Sequence, residues 1–225
     1  EQRMEPMHTT KLSRLLMAAS AVCGCWLAAT TALTQTLVFE DFESLELGPN
    51  VDEALVGEHV WTKTPPEGWT QDDSGLPGVG TDLDGVTEWA GWSFADVQWW
   101  TTTADDQRRS EFTRANGAVM VSDPDEWDDQ GHPDSAANGW YNTYITTRDI
   151  DISGLDASSV VVIFDSSWRP EFDSNYHQTG NIAVSFDGGE PQEILLWSSD
   201  SSVPPWNPAQ NVYSGYKDDN STNER

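Results

Sequence analysis

The chain has 225 residues, with 38 acidic against 11 basic side chains and a net charge of −27. That length suffices for one β-sandwich with a real core, and so acidic a surface repels nucleic-acid phosphates and anionic lipid headgroups, which excludes both as partners. The only cysteines, Cys23 and Cys25, lie in an apolar leader, so the remainder has no thiol and must be held by packing, with or without a metal.

Lys11 and Arg14 precede the apolar, small-residue stretch Leu15 to Leu33, the pattern of an export signal. Thr30-Thr31-Ala32 offers small residues for cleavage. Residues 1–32 are therefore expected to be removed, leaving 33–225 as a single secreted or cell-surface domain with no membrane insertion. The apolar stretch is short of a typical span and is broken by Gly24. Removal leaves 36 acids and 8 bases, a net charge of −28.

Leu37 to Phe42 is expected to form the first strand of this domain. Val60 and Trp61 start a short edge strand, Thr64 to Thr70 is a turn delivering Trp69, and the glycine-rich run Gly75 to Gly85 is a loop. Glu88 to Phe94 reads as strand. Ala95 to Ala104 reads as a short helix with Val97, Trp100 and also Trp99 on its inner side. Ala118 to Val121 and Thr143 to Thr147 are strands on either side of the densest acidic stretch, DPDEWDDQGHPDS. Arg148 to Leu155 alternates and leads into Ser158 to Trp197, the stretch around which the fold is expected to be organised. There Val160 to Phe164 is a continuous apolar, β-branched run, the mark of a strand covered on both faces. Ile182, Val184 and Phe186 alternate with polar residues, Asp187-Gly188-Gly189-Glu190 makes a tight turn, and Ile194 to Trp197 returns. Beyond Trp197 the chain is rich in Ser, Pro and Asn, and the closing strand or strands of the sandwich are expected to lie outside it. Recurrent turn-bounded strands with one short helix give an all-β, antiparallel jelly-roll sandwich.

The strings VFEDFE, PEGWT, NTYITTRDIDISG and VVVIFDSSW resemble the MAM-like jelly-roll modules known as choice-of-anchor J, related to cleaved-adhesin domains. GWSF with its Trp-Trp helix, DQRRSEFT, VSDPDEWDD, FDSSWRPE and SFDGG resemble the region ahead of the catalytic domain in secreted bacterial metallophosphoesterases. The resemblance covers about residues 37–225. It implies a jelly-roll module for binding or positioning and supplies no chemistry. That enzyme class holds two metals with Asp-x-His, Gly-Asp, Asn-His-Glu/Asp and Gly-His-x-His motifs. The four histidines here, His8, His59, His132 and His177, sit in none of them.

Related jelly rolls often tie their first strand to their last with Ca²⁺, and Asp41 and Glu43 occupy the first-strand position. Spaced i and i+2, they point to one side of a strand and need a cation if buried; the competing reading leaves them in solvent. Asp123, Asp125, Glu126, Asp128 and Asp129 alternate roughly as Ca²⁺-loop ligands do, with Asp125 and Asp128 the metal candidates, but the stretch is no EF-hand and also reads as a solvated loop. Trp127, Trp140 and Trp206 lie in polar loops and are the candidates for exposed indoles that stack on sugar rings or cell-surface polymers; most of the other tryptophans should fill the core. There is no Gly-x-Ser-x-Gly, no His-Glu-x-x-His and no phosphate loop. Arg169, near Asp165 and Glu171, is expected in a strand-end ion pair rather than in catalysis.

Overall fold

The computed structural model describes residues 35–50, 57–76, 86–103, 106–129, 141–170, 177–217 and 221–224. The proposed signal segment and Trp140 lie outside the described residues. The chain divides into Glu1–Thr36 and Leu37–Arg225, and every element named here belongs to the second unit.

The strands are β1 (Trp61–Thr62), β2 (Thr70–Gly75), β3 (Trp92–Asp96), β4 (Ala118–Ser122), β5 (Asn142–Thr146), β6 (Ser166–Trp168), β7 (Thr179–Val184), β8 (Gln192–Ser198), β9 (Ser214–Tyr216) and β10 (Ser221–Glu224). Two short helices, α1 (Val97–Thr102) and α2 (Pro124–Asp129), accompany them. The architecture is mostly β, with antiparallel pairing in β1-β3-β4, β2-β5, β6-β10 and β7-β8. The exception is β9, which joins β8 in parallel.

The core sits early in the chain. Trp61, Val86, Trp89, Ala95, Trp99, Trp100, Val119, Val121 and Trp127 form one buried cluster. The middle strand β3 has a neighbour on each side and buries Ser93, Phe94 and Ala95. Its last residue turns the chain into α1: the Asp96 carboxylate accepts the Trp99 N–H at 2.8 Å, satisfying one of the orphan donors of the first turn. That cap aims Trp99 and Trp100 inward, and Trp99 stacks on Trp89 with centroids 5.7 Å apart and planes 8° from parallel. Each such ring withdraws about 150–250 Å² from water, so the aromatic pairings of this half dominate the core.

Several expectations hold locally. Val97, Trp99 and Trp100 do face inward from a short helix, and β4, β5, β7 and β8 fall where periodicity places strands. The hairpin between β7 and β8 turns through Asp187 and Gly188, both at positive φ, and closes with Gly189 N–H donating to the Phe186 carbonyl at 2.9 Å.

Other expectations fail. Leu37 to Phe42 is not a strand; Phe42 has φ of 64° and Phe39 is 75 % exposed. Val160 to Phe164 is not a covered strand either: Val161, Val162 and Ile163 are 73, 63 and 68 % exposed, with no strand beside them among the described residues. Phe186, expected inside, is 54 % exposed. The acidic stretch opens as a helix, α2, instead of a loop. Asp165 pairs with Arg114 at 2.9 Å, and Glu171, the other carboxylate expected beside Arg169, lies outside the described residues. The organising centre is thus the segment from Trp61 to Trp127; none of the described residues from Ser158 to Trp197 belongs to the buried cluster, and Trp197, though buried, lies outside it.

Candidate functional site

Two of the sequence strings meet around one side chain. Arg109 follows three residues with positive φ, Asp106, Gln107 and Arg108, a conformation that costs non-glycine residues about 1–3 kcal/mol each. Local bonds hold it. The Asp106 carboxylate accepts from the Ser110 N–H and hydroxyl, both at 2.7 Å. These bonds hold the Asp106 carboxyl below the usual carboxylate range. Gln107 Nε2 donates to Glu126 at 2.9 Å.

Arg109 is 3 % exposed. Its Nη1 donates to the carbonyls of Trp100 and Thr103, both at 3.1 Å, and so caps the C-terminal end of α1. Its Nη2 meets Asp123 at 2.9 Å and Glu126 at 2.6 Å. The guanidinium carbon lies 5.4 Å from the Trp89 ring centre and 5.8 Å from that of Trp100. Asp123 also caps α2, accepting from Glu126 N–H at 3.3 Å. The arrangement joins the end of one helix to the start of the next through a buried charge cluster. It leaves the guanidinium enclosed by groups of this chain, so its chemistry is structural.

The metal candidates separate. Asp41 and Glu43 are both exposed in a turn. Asp41 accepts the Glu43 N–H at 3.2 Å, while the Glu43 carboxylate reaches across to the Ala118 N–H at 3.0 Å and lies where Gly117, at φ of 60°, leaves room that a Cβ would fill. Asp125 is exposed in the first turn of α2; Asp128 lies in the same helix, and its side chain is outside the described residues. Among the described residues no group of three or more His, Cys, Asp or Glu is placed to hold a metal ion.

The aromatic candidates also part. Trp127, expected exposed, is 6 % exposed and belongs to the core, because the helical turn that points Glu126 at Arg109 also carries Trp127 inward. Trp206 is half-buried at the edge of β9. Its ring stands edge-on to Trp197 at 6.3 Å, and the Lys217 ammonium, 3 % exposed, sits 4.6 Å above it. Trp168 completes this second aromatic group, 5.6 Å from Trp197, with its indole N–H donating to the Lys217 carbonyl at 3.0 Å. Gly180 lies beneath Trp168, where a Cβ would come within 3.1 Å of the ring.

Beside this group runs the longest unbroken run of exposed large apolar side chains among the described residues. Phe164, 36 % exposed, touches Trp197 at 6.4 Å between centroids, and Ile163, Val162 and Val161 lead away from it into solvent. The sequence holds the signal for it, five apolar residues in a row; what it does not hold is the fact that the run has no paired strand among the described residues. Comparison with protein-family models, curated proteins and solved structures found no match for this chain.

Proposed function

We propose that this chain is a non-catalytic extracellular binding or accessory module that works as the front part of a secreted hydrolase of metallophosphoesterase type. The observation that carries the reading is the exposed run Val161 to Phe164 on a chain of net charge −27. Contiguous apolar surface on so strongly charged a molecule is the mark of a contact surface. Support comes from the use to which the motif residues are put. Arg109, Asp123 and Glu126, from the strings that resemble the phosphoesterase front region, are spent on joining two helices, which suits a module that positions rather than reacts. The test is to read the parent gene beyond the codon for Arg225 and assay its product on phosphate esters. Asp-x-His, Asn-His-Asp/Glu and Gly-His-x-His motifs, with activity in the whole protein, are expected. A sorting or anchor segment in their place would overturn the hydrolase reading.

The second reading is a stand-alone adhesion or carbohydrate-binding protein. It is favoured by the half-buried Trp206, which shares an aromatic group with Trp168 and Trp197. Retention on polysaccharide resins that Trp206→Ala abolishes, with folding intact, would establish it; no retention by the parent chain would remove it.

A further inference from the structure

From Asp149 to Asp165 the chain has four aspartates and no lysine, arginine or histidine. The same stretch carries six of the eleven large apolar side chains that stand exposed among the described residues, Ile150, Leu155, Val161, Val162, Ile163 and Phe164, so apolar and acidic surface are concentrated together along it. Asp165 is answered by Arg114 at 2.9 Å. Asp149, Asp151 and Asp156, all exposed, are the charges a partner meets; the nearest bases, Arg148 and Arg169, stand beyond the two ends. Asp151 accepts the Ser153 N–H at 2.8 Å, and Asp156 accepts the Ser158 N–H at 2.9 Å and its hydroxyl at 2.7 Å. These bonds hold both carboxyls below the usual carboxylate range, so both stay ionised in weak acid. Val160 to Phe164 lie outside every helix, turn and strand, and among the described residues their backbone groups make no hydrogen bond. Five successive apolar residues, four of them β-branched, fit a pleated neighbour. A backbone with no ladder of its own can take an added strand, whose main-chain bonds give affinity and whose alternate side chains give specificity.

We propose that the strip from Asp149 to Phe164 docks an extended segment of another protein in which lysine or arginine alternates with apolar residues, laid along Val160–Phe164. This deepens the reading of the chain as a binding module and rests on it. Charge complementarity selects the occupant. A second copy brings −27 against −27 and is repelled. An apolar segment with acidic side chains is repelled in the same way. A lipid surface covers the apolar side chains and leaves the backbone groups without partners. A basic, apolar segment meets all three demands together: apolar cover for Val161 to Ile163, main-chain bonds along the run, and cations for the aspartates that precede it. Phe164 is already seated against Trp197, with centroids 6.4 Å apart, so the incoming segment extends an apolar surface that the aromatic group has begun.

The test is fluorescence anisotropy of the chain with three short labelled peptides: lysine alternating with valine, lysine alternating with serine, and glutamate alternating with valine. The Lys/Val peptide is expected to bind about tenfold or more tighter than either of the others, and to weaken as salt is raised. Val161→Ser combined with Ile163→Ser removes two exposed side chains, so the melting temperature stays unchanged while the Lys/Val peptide binds about tenfold more weakly. Methylating alternate main-chain amides of that peptide is expected to weaken it as well, because the ladder is lost. No binding of the Lys/Val peptide overturns the proposal. Equal binding of the Lys/Ser peptide would reduce the contact to bulk charge, equal binding of the Glu/Val peptide would remove charge from it, and a double variant that binds like the parent chain would move the contact off the run; each overturns it. So does a dimer in sedimentation that the double variant dissociates, which would give the strip to a second copy. The hydrolase reading fails on a different result, the absence of phosphoesterase motifs from the gene, so peptide binding by a protein without them keeps this proposal and loses that reading.

Discussion

Replacing Arg109 by Met keeps bulk in the core and removes a cation on which Asp123 and Glu126 converge, at 2.9 and 2.6 Å. Glu126 is 4 % exposed, so its carboxylate has little access to water as a substitute. Breaking a buried pair by removing one partner costs about 3–5 kcal/mol, because the stranded charge remains desolvated. At about 2–4 °C per kcal/mol for a domain of this size, the melting temperature of Arg109→Met should fall by about 6–20 °C. The companion variant carries Arg109→Met and Glu126→Leu together. Apolar replacement of both members of a buried pair is often neutral, and Asp123, at 19 % exposure, can turn toward solvent. The double variant should recover most of the loss. Thermal and urea unfolding followed by circular dichroism read both. A loss below about 1 kcal/mol in the single variant, the range of exposed ion pairs, would refute the assignment of this cluster as the joint between α1 and α2. Equal losses in single and double variants would refute it as well.

Three further outcomes follow from the same geometry. Tyr141 donates to the Trp89 carbonyl at 2.6 Å and accepts the Gly91 N–H at 2.8 Å, so Tyr141→Phe should cost about 0.5–1.5 kcal/mol, the net worth of a typical intramolecular hydrogen bond, because the Gly91 N–H and the Trp89 carbonyl still meet each other at 2.8 Å. Burial pushes its phenol well above the usual range. The unfolded chain therefore sheds this proton first, and stability held below about pH 10 should decline as pH rises past it, a decline absent from Tyr141→Phe in alkaline melting curves. Trp127→Ala should destabilise by about 3–5 kcal/mol, as core tryptophans do, whereas an exposed ligand platform would lose no stability in the same unfolding titration. Asp125→Asn combined with Asp128→Asn should leave the melting temperature unchanged in millimolar calcium; a calcium-dependent rise in the parent chain that this pair abolishes would make α2 a metal site.

What could be read from the residues was local. The short helix with its inward Val97, Trp99 and Trp100 and the Asp-Gly turn between β7 and β8 each act within a few positions, so the sequence carries their physics directly. The start of α2 was equally legible: Asp123 before Pro124, with acids in the first turn, is a helix-opening pattern. The density of acids made it read as a solvated loop, and Trp127 was placed outside with it. The Arg109 cluster was not legible, since its members lie 14 and 17 residues apart and nothing in either string says that they face each other. The largest miss, Val160 to Phe164, has the same cause. Apolar composition says that a strand must be covered, but the neighbour that covers it is a non-local fact.

The measurement closest to the central claim is amide hydrogen exchange of the free chain, resolved along Val160–Phe164 and along β3 and β4. Exchange near the unstructured rate is expected from Val161 to Ile163, with strong protection at Phe94 and Val119, which lie in a three-stranded sheet. Protection of Val161 to Ile163 comparable to that of Phe94 would mean that the run is already paired within this chain, and the contact surface would have to be sought elsewhere.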